Sequence, residues 1–309
     1  MKTKSIIVII VLIISFINCN AQNEDKENEQ STVKGYYFGQ RPPGETPIKF
    51  IFDLAKNEPN THSSPIFSPD GKEVFITIMQ GSPNKIKYSR MDDHSIWSPL
   101  TYVPFSSKYS DSNPFLSSDG SKIYFKSYRP INGRSGNTFW VSTKTYGTWS
   151  EAIPVDKVFN HPGIAWQSSI SKKGSIFYPI EGADDIDIFY SELIDGHYTT
   201  PKNMGQNINS NVPDWQTCIS SDESYLIFAS NKREGGYGWG DLYVSFKNSD
   251  GTWTKAINLG SEINTPENEE WPSLTPDGKY LIFRRCEYSN DYIGYYMWVS
   301  TDVLEKLKN

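Results

Sequence analysis

The sequence has little cysteine, little histidine and no concentration of positive charge. Three Cys and four His occur among 309 residues, and 30 Lys and Arg stand against 36 Asp and Glu, a net charge of −6. Two or three cysteines are too few for the disulfide framework of a small secreted domain, and no Cys/His spacing is typical of zinc sites. Without a basic stripe we expect no nucleic-acid partner. We expect no metal and no cofactor.

Long apolar runs are missing too, except for "SIIVIIVLIISFI" from Ser5, which follows the basic "MKTK". This layout predicts a secretory signal over residues 1–21, with residues 22–40 as a polar, flexible tether. Two interpretations stay open: cleavage before Gln22, or a lipoprotein with a lipid on Cys19. We expect an exported protein, periplasmic or associated with the outer membrane, with membrane contact only through that anchor. Apart from Cys19, the chain contains Cys218 and Cys286, and we expect either two separate buried thiols or one disulfide bond between them.

Aromatic residues and turn formers are abundant. Nine Trp, 19 Tyr and 16 Phe accompany 22 Gly and 19 Pro, a composition that favours short strands and tight turns. The protein is therefore predicted to be all-β.

One hairpin motif recurs five times, from residues 64, 113, 167, 216 and 271. Its best copies read "SPIFSPDGKEVFITI" and "WPSLTPDGKYLIFRR", and Pro-Asp-Gly fits a type I turn with a glycine bulge. In the fourth copy Glu223 replaces the glycine. A third strand ending in Ser follows each hairpin. Four copies then carry an aromatic residue that we expect to open a fourth strand: Trp97, Trp149, Tyr198 and Trp253.

The fifth copy has no fourth strand of its own, and "KFIFDLAK" before the first hairpin is predicted to supply it. Residues 41–309 are thus predicted to form a monomeric five-bladed β-propeller with four-stranded blades, the ring being closed by the N-terminal strand. Six blades is the alternative. The C-terminal "TDVLEKLKN" predicts a short helix with Asp302 as N-cap.

The "SPDGK" hairpin and "DLYVS…GTWTKAINLGSEINTP" resemble the WD40-like, TolB-type propeller repeat of bacterial envelope proteins. The resemblance covers about residues 49–302. It implies the fold and says little about activity, because similar propellers serve as binding modules, peptidase gates and polysaccharide-degrading enzymes. We expect none of the roles that depend on the α/β, hydrolase or OmpA-like domains found beside such propellers.

Propeller geometry predicts that the loops leading into the first strands and those joining second to third strands share one face, the entrance face, while the "SPDG" turns lie on the opposite turn face. Trp faces suit stacking on sugars or peptides, and Arg suits clamping a carboxylate unless it pairs with nearby acids. The candidate ligand-binding residues on the entrance face are His62, Asp111, Arg129, Trp166, Gln167, Asp214, Trp215, Gln216, Arg233, Glu270, Trp271, Arg284 and Arg285.

The sequence favours a non-catalytic module that binds an envelope polypeptide or glycan on the entrance face. The alternative is a polysaccharide-degrading hydrolase or lyase that uses rim carboxylates, Asp111, Asp214, Glu269 and Glu270, together with the arginines. No Gly-x-Ser-x-Gly motif is present.

Overall fold

The computed structural model describes residues 33–58, 60–61, 63–79, 81–159, 163–164, 166–183, 185–287 and 294–308. Cys19, most of the predicted signal and tether, and His62 lie outside the described residues. The described chain is all-β, with one short α-helix and three short 3₁₀ helices: Tyr36–Gly39, Asp53–Ala55 and Lys157–Phe159.

The strands form five antiparallel groups, units 1 to 5, after an initial strand β1 (Ile48–Phe50). Unit 1 contains β2 (Ile66–Phe67), β3 (Glu73–Ile78), β4 (Lys85–Arg90) and β5 (Thr101–Tyr102). Unit 2 contains β6 (Asp111–Leu116), β7 (Lys122–Ser127), the hairpin of β8 (Pro130–Ile131) and β9 (Arg134–Ser135), β10 (Thr138–Thr145), β11 (Thr148–Trp149) and β12 (Ile153–Pro154). Unit 3 contains β13 (Ser169–Ile170), β14 (Ile176–Glu181), β15 (Ile186–Ser191), the hairpin of β16 (Leu193–Ile194) and β17 (His197–Tyr198), and β18 (Lys202–Asn203). Unit 4 contains β19 (Asp214–Ile219), β20 (Tyr225–Asn231), β21 (Gly240–Phe246) and β22 (Ile257–Asn258). Unit 5 contains β23 (Asn268–Leu274), β24 (Tyr280–Cys286) and β25 (Gly294–Ser300), and the helix α1 (Asp302–Glu305) follows it.

Each unit runs as an antiparallel meander, so its first strand is bonded to the second and the second to the third. β1 pairs antiparallel with β25, with Ile48 opposite Trp298, and therefore adds a fourth strand to unit 5. Units 4 and 5 also touch edge to edge through one parallel pair, Gly240 with Asn268. The N-terminal strand thus lies beside the last strand of the chain.

Among the described residues, five apolar clusters lie between the units, and each joins residues of neighbouring units. One of them packs Val74 and Ile76 of unit 1 against Ile282 and Trp298 of unit 5. The others join unit 1 to 2, 2 to 3, 3 to 4 and 4 to 5. The second strand β3 is buried at every position, and the other second strands are buried over their central residues, because both faces of the sheet are covered.

The repeated turn has the predicted geometry. The Gly71 amide donates to the Ser68 carbonyl at 2.8 Å, and Gly71 has φ +68°. Glu223, at the glycine position of unit 4, also has a left-handed φ of +64°. Its buried carboxylate accepts hydrogen bonds from Lys247 in unit 4, at 2.9 Å, and from the Ser171 hydroxyl in unit 3, at 2.8 Å. These contacts offset the cost of a side chain in this conformation.

The aromatic residues after the third strands do not open the fourth strands, so that prediction was wrong. Trp97 and Trp253 instead pair back to Met91 and Lys247, the residues just beyond the third strands, and Trp149 pairs with Lys144 near the end of β10. The fourth strands begin about four residues later and are only two residues long. The rings are large enough to cap the junction between units, and this burial outweighs a longer edge strand.

Residues 33–40, assigned above to the tether, lie against unit 1. The Trp97 amide donates to the Val33 carbonyl at 3.0 Å, and the Trp97 indole donates to the Gly35 carbonyl at 2.8 Å. Tyr37 and Phe38 join the cluster between units 1 and 5. The domain boundary at residue 40 stays a prediction, which the Phe38 variant below tests.

The C-terminal helix begins after Thr301 as N-cap, with no side-chain cap bond, so the prediction of Asp302 as N-cap was wrong. Leu304 is buried against units 4 and 5. Cys218 and Cys286 are both buried and are not bridged to each other, which confirms two separate thiols. Within the described ranges, no helix has the length and apolarity needed to cross a bilayer.

Candidate functional site

The entrance face carries a repeated pairing of an acid at the start of a first strand with an arginine at or just beyond the end of a second strand. In unit 2, β6 begins at Asp111, opposite Ser127 at the end of β7. This register brings Arg129, two residues further on, back over Asp111. Arg129 Nη2 donates to Asp111 Oδ2 at 2.9 Å and to the Phe105 carbonyl at 2.6 Å. Both charged groups are buried.

Unit 5 contains two such pairs side by side. Arg285 Nε donates to Glu269 Oε1 at 2.7 Å, and Arg284 Nη1 donates to Glu270 Oε1 at 3.0 Å. The Thr265 amide also donates to Glu269, at 2.8 Å. Burial raises the pKa of Glu269 above its ordinary value, although these contacts oppose the rise.

Unit 4 has the loosest pair. Arg233 Nη1 lies 3.5 Å from Asp214 Oδ1, and that carboxylate oxygen accepts no hydrogen bond of normal length from the described residues. The other oxygen, Oδ2, accepts from the Ser210 amide at 2.6 Å and from the Ser210 hydroxyl at 2.8 Å. Burial raises the pKa of Asp214. Arg233 Nη1 also donates to the Ile208 carbonyl at 2.9 Å.

Three of the predicted contact residues on the first strands are used inside the protein. Gln216 Oε1 accepts from the Trp271 amide at 2.8 Å, and the Gln167 side-chain amide donates to the Pro272 carbonyl. Trp271 is only 1% exposed, and its carbonyl accepts from the Ser64 hydroxyl at 2.5 Å. Gln216 and Trp271 have left-handed φ angles at β-bulges, which turn the strand toward its neighbours. These contacts tie first strands of different units together.

Trp166 and Trp215 form the aromatic feature of this face. Their ring centroids lie 4.9 Å apart with the planes tilted by 50°. Both side chains are half-buried, and Trp215 also packs against the cluster between units 4 and 5. The pair leaves aromatic surface for a ligand, whereas Trp271 does not.

Cavities open at both ends of the first strands. A cavity of about 470 Å³ opens beside Arg233 on unit 4. A second, of about 260 Å³, lies at the turn-face end of the first strands, between residues of all five units that include Phe67, Phe115, Ile170, Ile219 and Leu274. Of the predicted site residues only Gln167 lines the second cavity. No site was predicted at this end of the strands, although the apolar residues just before each turn were a signal for the cavity.

The structure therefore brings together the predicted acids and arginines pairwise within units 2, 4 and 5, and it brings Trp166 to Trp215. No group of three or more His, Cys, Asp or Glu side chains suited to a metal occurs within the described part of the chain.

No family model matches the chain. No curated protein sequence matches it either. Solved structures do. An α-L-arabinofuranosidase from Lactobacillus brevis matches with a TM-score of 0.55 at 13% identity, over 81% of this chain and 92% of that one. A putative TolB from Agrobacterium tumefaciens matches with a TM-score of 0.53 at 14% identity, over 78% and 77%. TolB from Acinetobacter baumannii matches with a TM-score of 0.50 at 13% identity, over 79% of this chain and 55% of that one. The chain thus spans about half the length of that TolB. At such identities the likeness concerns the fold, which is that of a β-propeller.

Proposed function

We propose that this protein is an exported, non-catalytic binding module that recognises an envelope polypeptide or glycan on its entrance face. The fold alone does not decide the matter, since propellers bind or catalyse and the similar structures include both TolB proteins and a glycosidase.

One observation carries the proposal: the four carboxylates that the hydrolase alternative would use are buried, and each has an arginine partner. Asp111, Asp214, Glu269 and Glu270 are all at most 4% exposed, with arginine nitrogens at 2.7 to 3.5 Å. Glycoside hydrolysis needs two carboxyl groups that reach the scissile bond, about 5 to 10 Å apart. An ion-paired carboxylate inside the fold serves structure, and its removal would leave a buried positive charge.

The second candidate is the polysaccharide-degrading hydrolase or lyase. What favours it is the fold shared with an arabinofuranosidase. To separate the two, the purified protein is incubated with neutral and acidic polysaccharides while reducing ends and unsaturated products are measured. Binding of the same polysaccharides and of envelope peptides is titrated in parallel. We expect binding without products. Products that disappear with Glu270→Gln, in a variant that still melts cooperatively, would overturn the proposal.

The binding surface itself is tested with Trp215→Ala. Loss of an aromatic anchor commonly weakens binding by about 2 kcal/mol, roughly thirtyfold. Asp70→Asn on the turn face is the control and should leave affinity unchanged. Because Trp215 also contacts the core, Trp215→Phe and thermal melts accompany the titration. If Trp215→Ala loses stability but keeps its affinity, the ligand does not use this surface.

The finer architecture we propose is five four-stranded blades in a ring closed by β1, six blades being the alternative. Support comes from the β1–β25 pairing and from the apolar cluster shared by units 1 and 5. A chain lacking residues 1–56 should expose strand edges and aggregate, while one lacking 1–32 should not. If the two truncated proteins are equally soluble and stable, β1 does not close the ring.

Localisation in the periplasm or at the outer membrane is likewise our proposal, supported by the basic N-terminus and apolar run of the sequence.

A further inference from the structure

The cavity beside Arg233 differs from the rest of the entrance face in its polarity. Its volume of about 470 Å³ falls within the roughly 300–1,000 Å³ typical of small-molecule sites. Most such sites are largely apolar, but this one is lined mainly by polar and charged side chains: Ser210, Asn211, Arg233, Glu234, Tyr243, Lys255 and Asn258. Its chemistry suits a ligand with many hydroxyl groups better than an apolar side chain.

Arg233 is less fully used by the protein than its counterparts. Arg129 donates from both Nε and Nη2, to Asp111, Ser107 and the Phe105 carbonyl. Arg285 likewise donates from Nε to Glu269 and from Nη2 to the Ile263 carbonyl. Among the described residues, Arg233 donates only from Nη1, to the Ile208 carbonyl. Its Nε and Nη2 groups are therefore available for a planar, two-point contact.

The guanidinium is held in position by the walls of the cavity. Its carbon lies 5.0 Å from the centre of the Tyr243 ring and 5.9 Å from that of Phe228. Tyr243 is 4% exposed, and its hydroxyl lies near the Asn258 side chain but makes no hydrogen bond of normal length with the described residues. A buried hydroxyl without a partner is costly unless a ligand or water satisfies it.

The lining of the cavity contains two cations, Arg233 and Lys255, and one acid, Glu234. Lys255 lines it and is exposed, and within the described ranges its ammonium makes no ion pair. Glu234 is the acidic side chain of the lining and is also exposed. Asp214 balances Arg233 only from 3.5 Å. Among the lining side chains, two cations thus stand beside one solvated carboxylate, while the buried Asp214 lies behind Arg233.

We propose that this cavity binds the carboxylate of an acidic sugar residue, with Arg233 and Lys255 holding the carboxylate and Tyr243 donating to a sugar hydroxyl. The inference rests on the proposed binding function and names its ligand class as a uronate-containing glycan. A peptide C-terminus presents the same carboxylate without the hydroxyl groups, so it is the competing outcome of the test.

The test is a titration of the full mature protein with an oligouronate and with the neutral oligosaccharide made by reducing its carboxyl groups. We expect the reduced form to bind at least tenfold more weakly, as for the loss of one charged hydrogen bond of about 1.5–3 kcal/mol. Lys255→Ala should weaken oligouronate binding about tenfold without affecting the neutral form. Lys232→Ala is the matched control, since Lys232 is exposed over the Trp239 ring and does not line the cavity.

Arg233→Lys keeps the positive charge but loses the planar guanidinium group with its paired donors, so it should also lose oligouronate affinity. Thermal melts confirm that this variant is folded. Equal binding of the two oligosaccharides overturns the inference, as does a preference for a free peptide C-terminus over the oligouronate. If glycans bind, depend on Trp215 and ignore Lys255, the carboxylate site is wrong while the binding function stands. If no ligand of any class binds, both proposals fail.

Discussion

Replacing Phe38 by alanine should destabilise the protein, although the sequence assigned this residue to a flexible tether. The Phe38 ring lies 5.0 Å from the Trp97 ring, 5.2 Å from Phe52, and 5.8 Å from both Phe50 and Phe67. Removal of a fully buried Phe costs about 3–5 kcal/mol. Phe38 is half-buried, so we expect the free energy of unfolding to fall by about 2–3 kcal/mol. For a domain of this size that corresponds to a melting temperature lower by roughly 4–6 °C.

The assay is thermal and urea unfolding followed by near-UV circular dichroism, which reports on packed aromatic rings. Tyr146→Ala is the matched control. Tyr146 also has a left-handed φ, of +48°, but it is fully exposed at a hairpin tip, with a relative accessibility of 103%. Both variants keep an alanine at positive φ, so backbone strain cancels between them. Tyr146→Ala should change stability by less than about 0.5 kcal/mol. A Phe38→Ala protein that melts within about 1 °C of the wild type would show that residues 33–40 do not belong to the fold.

Three other predictions concern single residues. Although burial opposes it, hydrogen bonds from Lys247 and Ser171 hold the pKa of Glu223 below its ordinary 4.5, so its stabilisation is present above that pH and lost as pH falls through the folded pKa. Glu223→Gln should therefore melt lower than the wild type at pH 7, with the difference narrowing as the pH falls below 4.5, and a constant difference would contradict the ion pair. Burial lowers the pKa of Lys126 to about 8, below its unfolded value, so the charged side chain destabilises the folded state at pH 7. Lys126→Met should therefore raise the melting temperature at pH 7, and this gain should shrink between pH 8 and 10.5. A gain that does not depend on pH would indicate an effect of packing alone. If Cys19 carries the lipid, Cys19→Ala should move the protein from the membrane to the soluble fraction, and an unmodified mature N-terminus at Gln22 by mass spectrometry would rule the anchor out.

The repeat made much of the fold predictable, because a turn such as Ser68–Gly71 uses only local contacts that the sequence displays. The same holds for the spacing of the strands. The pairing of Trp97 was not predictable, because it depends on hydrogen bonds to the Val33–Gly35 backbone, which lies more than 60 residues away in the sequence. Local patterns do not contain such contacts.

The entrance-face residues were predictable as a group but not in their roles. Asp111 and Arg129 are 18 positions apart, and only the register of β6 on β7 makes them partners. From the sequence, the arginines could be interpreted either as ligand-binding groups or as partners of nearby acids. Where an arginine is buried and makes a full set of hydrogen bonds inside the protein, its role is to pair with the acid. The turn-face cavity was missed because its lining comes from all five units, so no single copy of the repeat reveals it.

The ion pairs on the two faces of the molecule differ in what they connect, and this bears on how such a chain arises by duplication. On the entrance face Asp111–Arg129, Asp214–Arg233 and Glu269–Arg285 each lie within one unit. A gene segment that encodes such a unit therefore copies a buried charge together with its partner. On the turn face the acids pair within their units and also across to a neighbour: Glu73 binds Lys144 of the next unit, at 2.5 Å, and Glu223 lies 3.4 Å from Lys173 of the preceding one. These bridges make neighbours non-interchangeable, so copies that were once equivalent became fixed in their order along the chain.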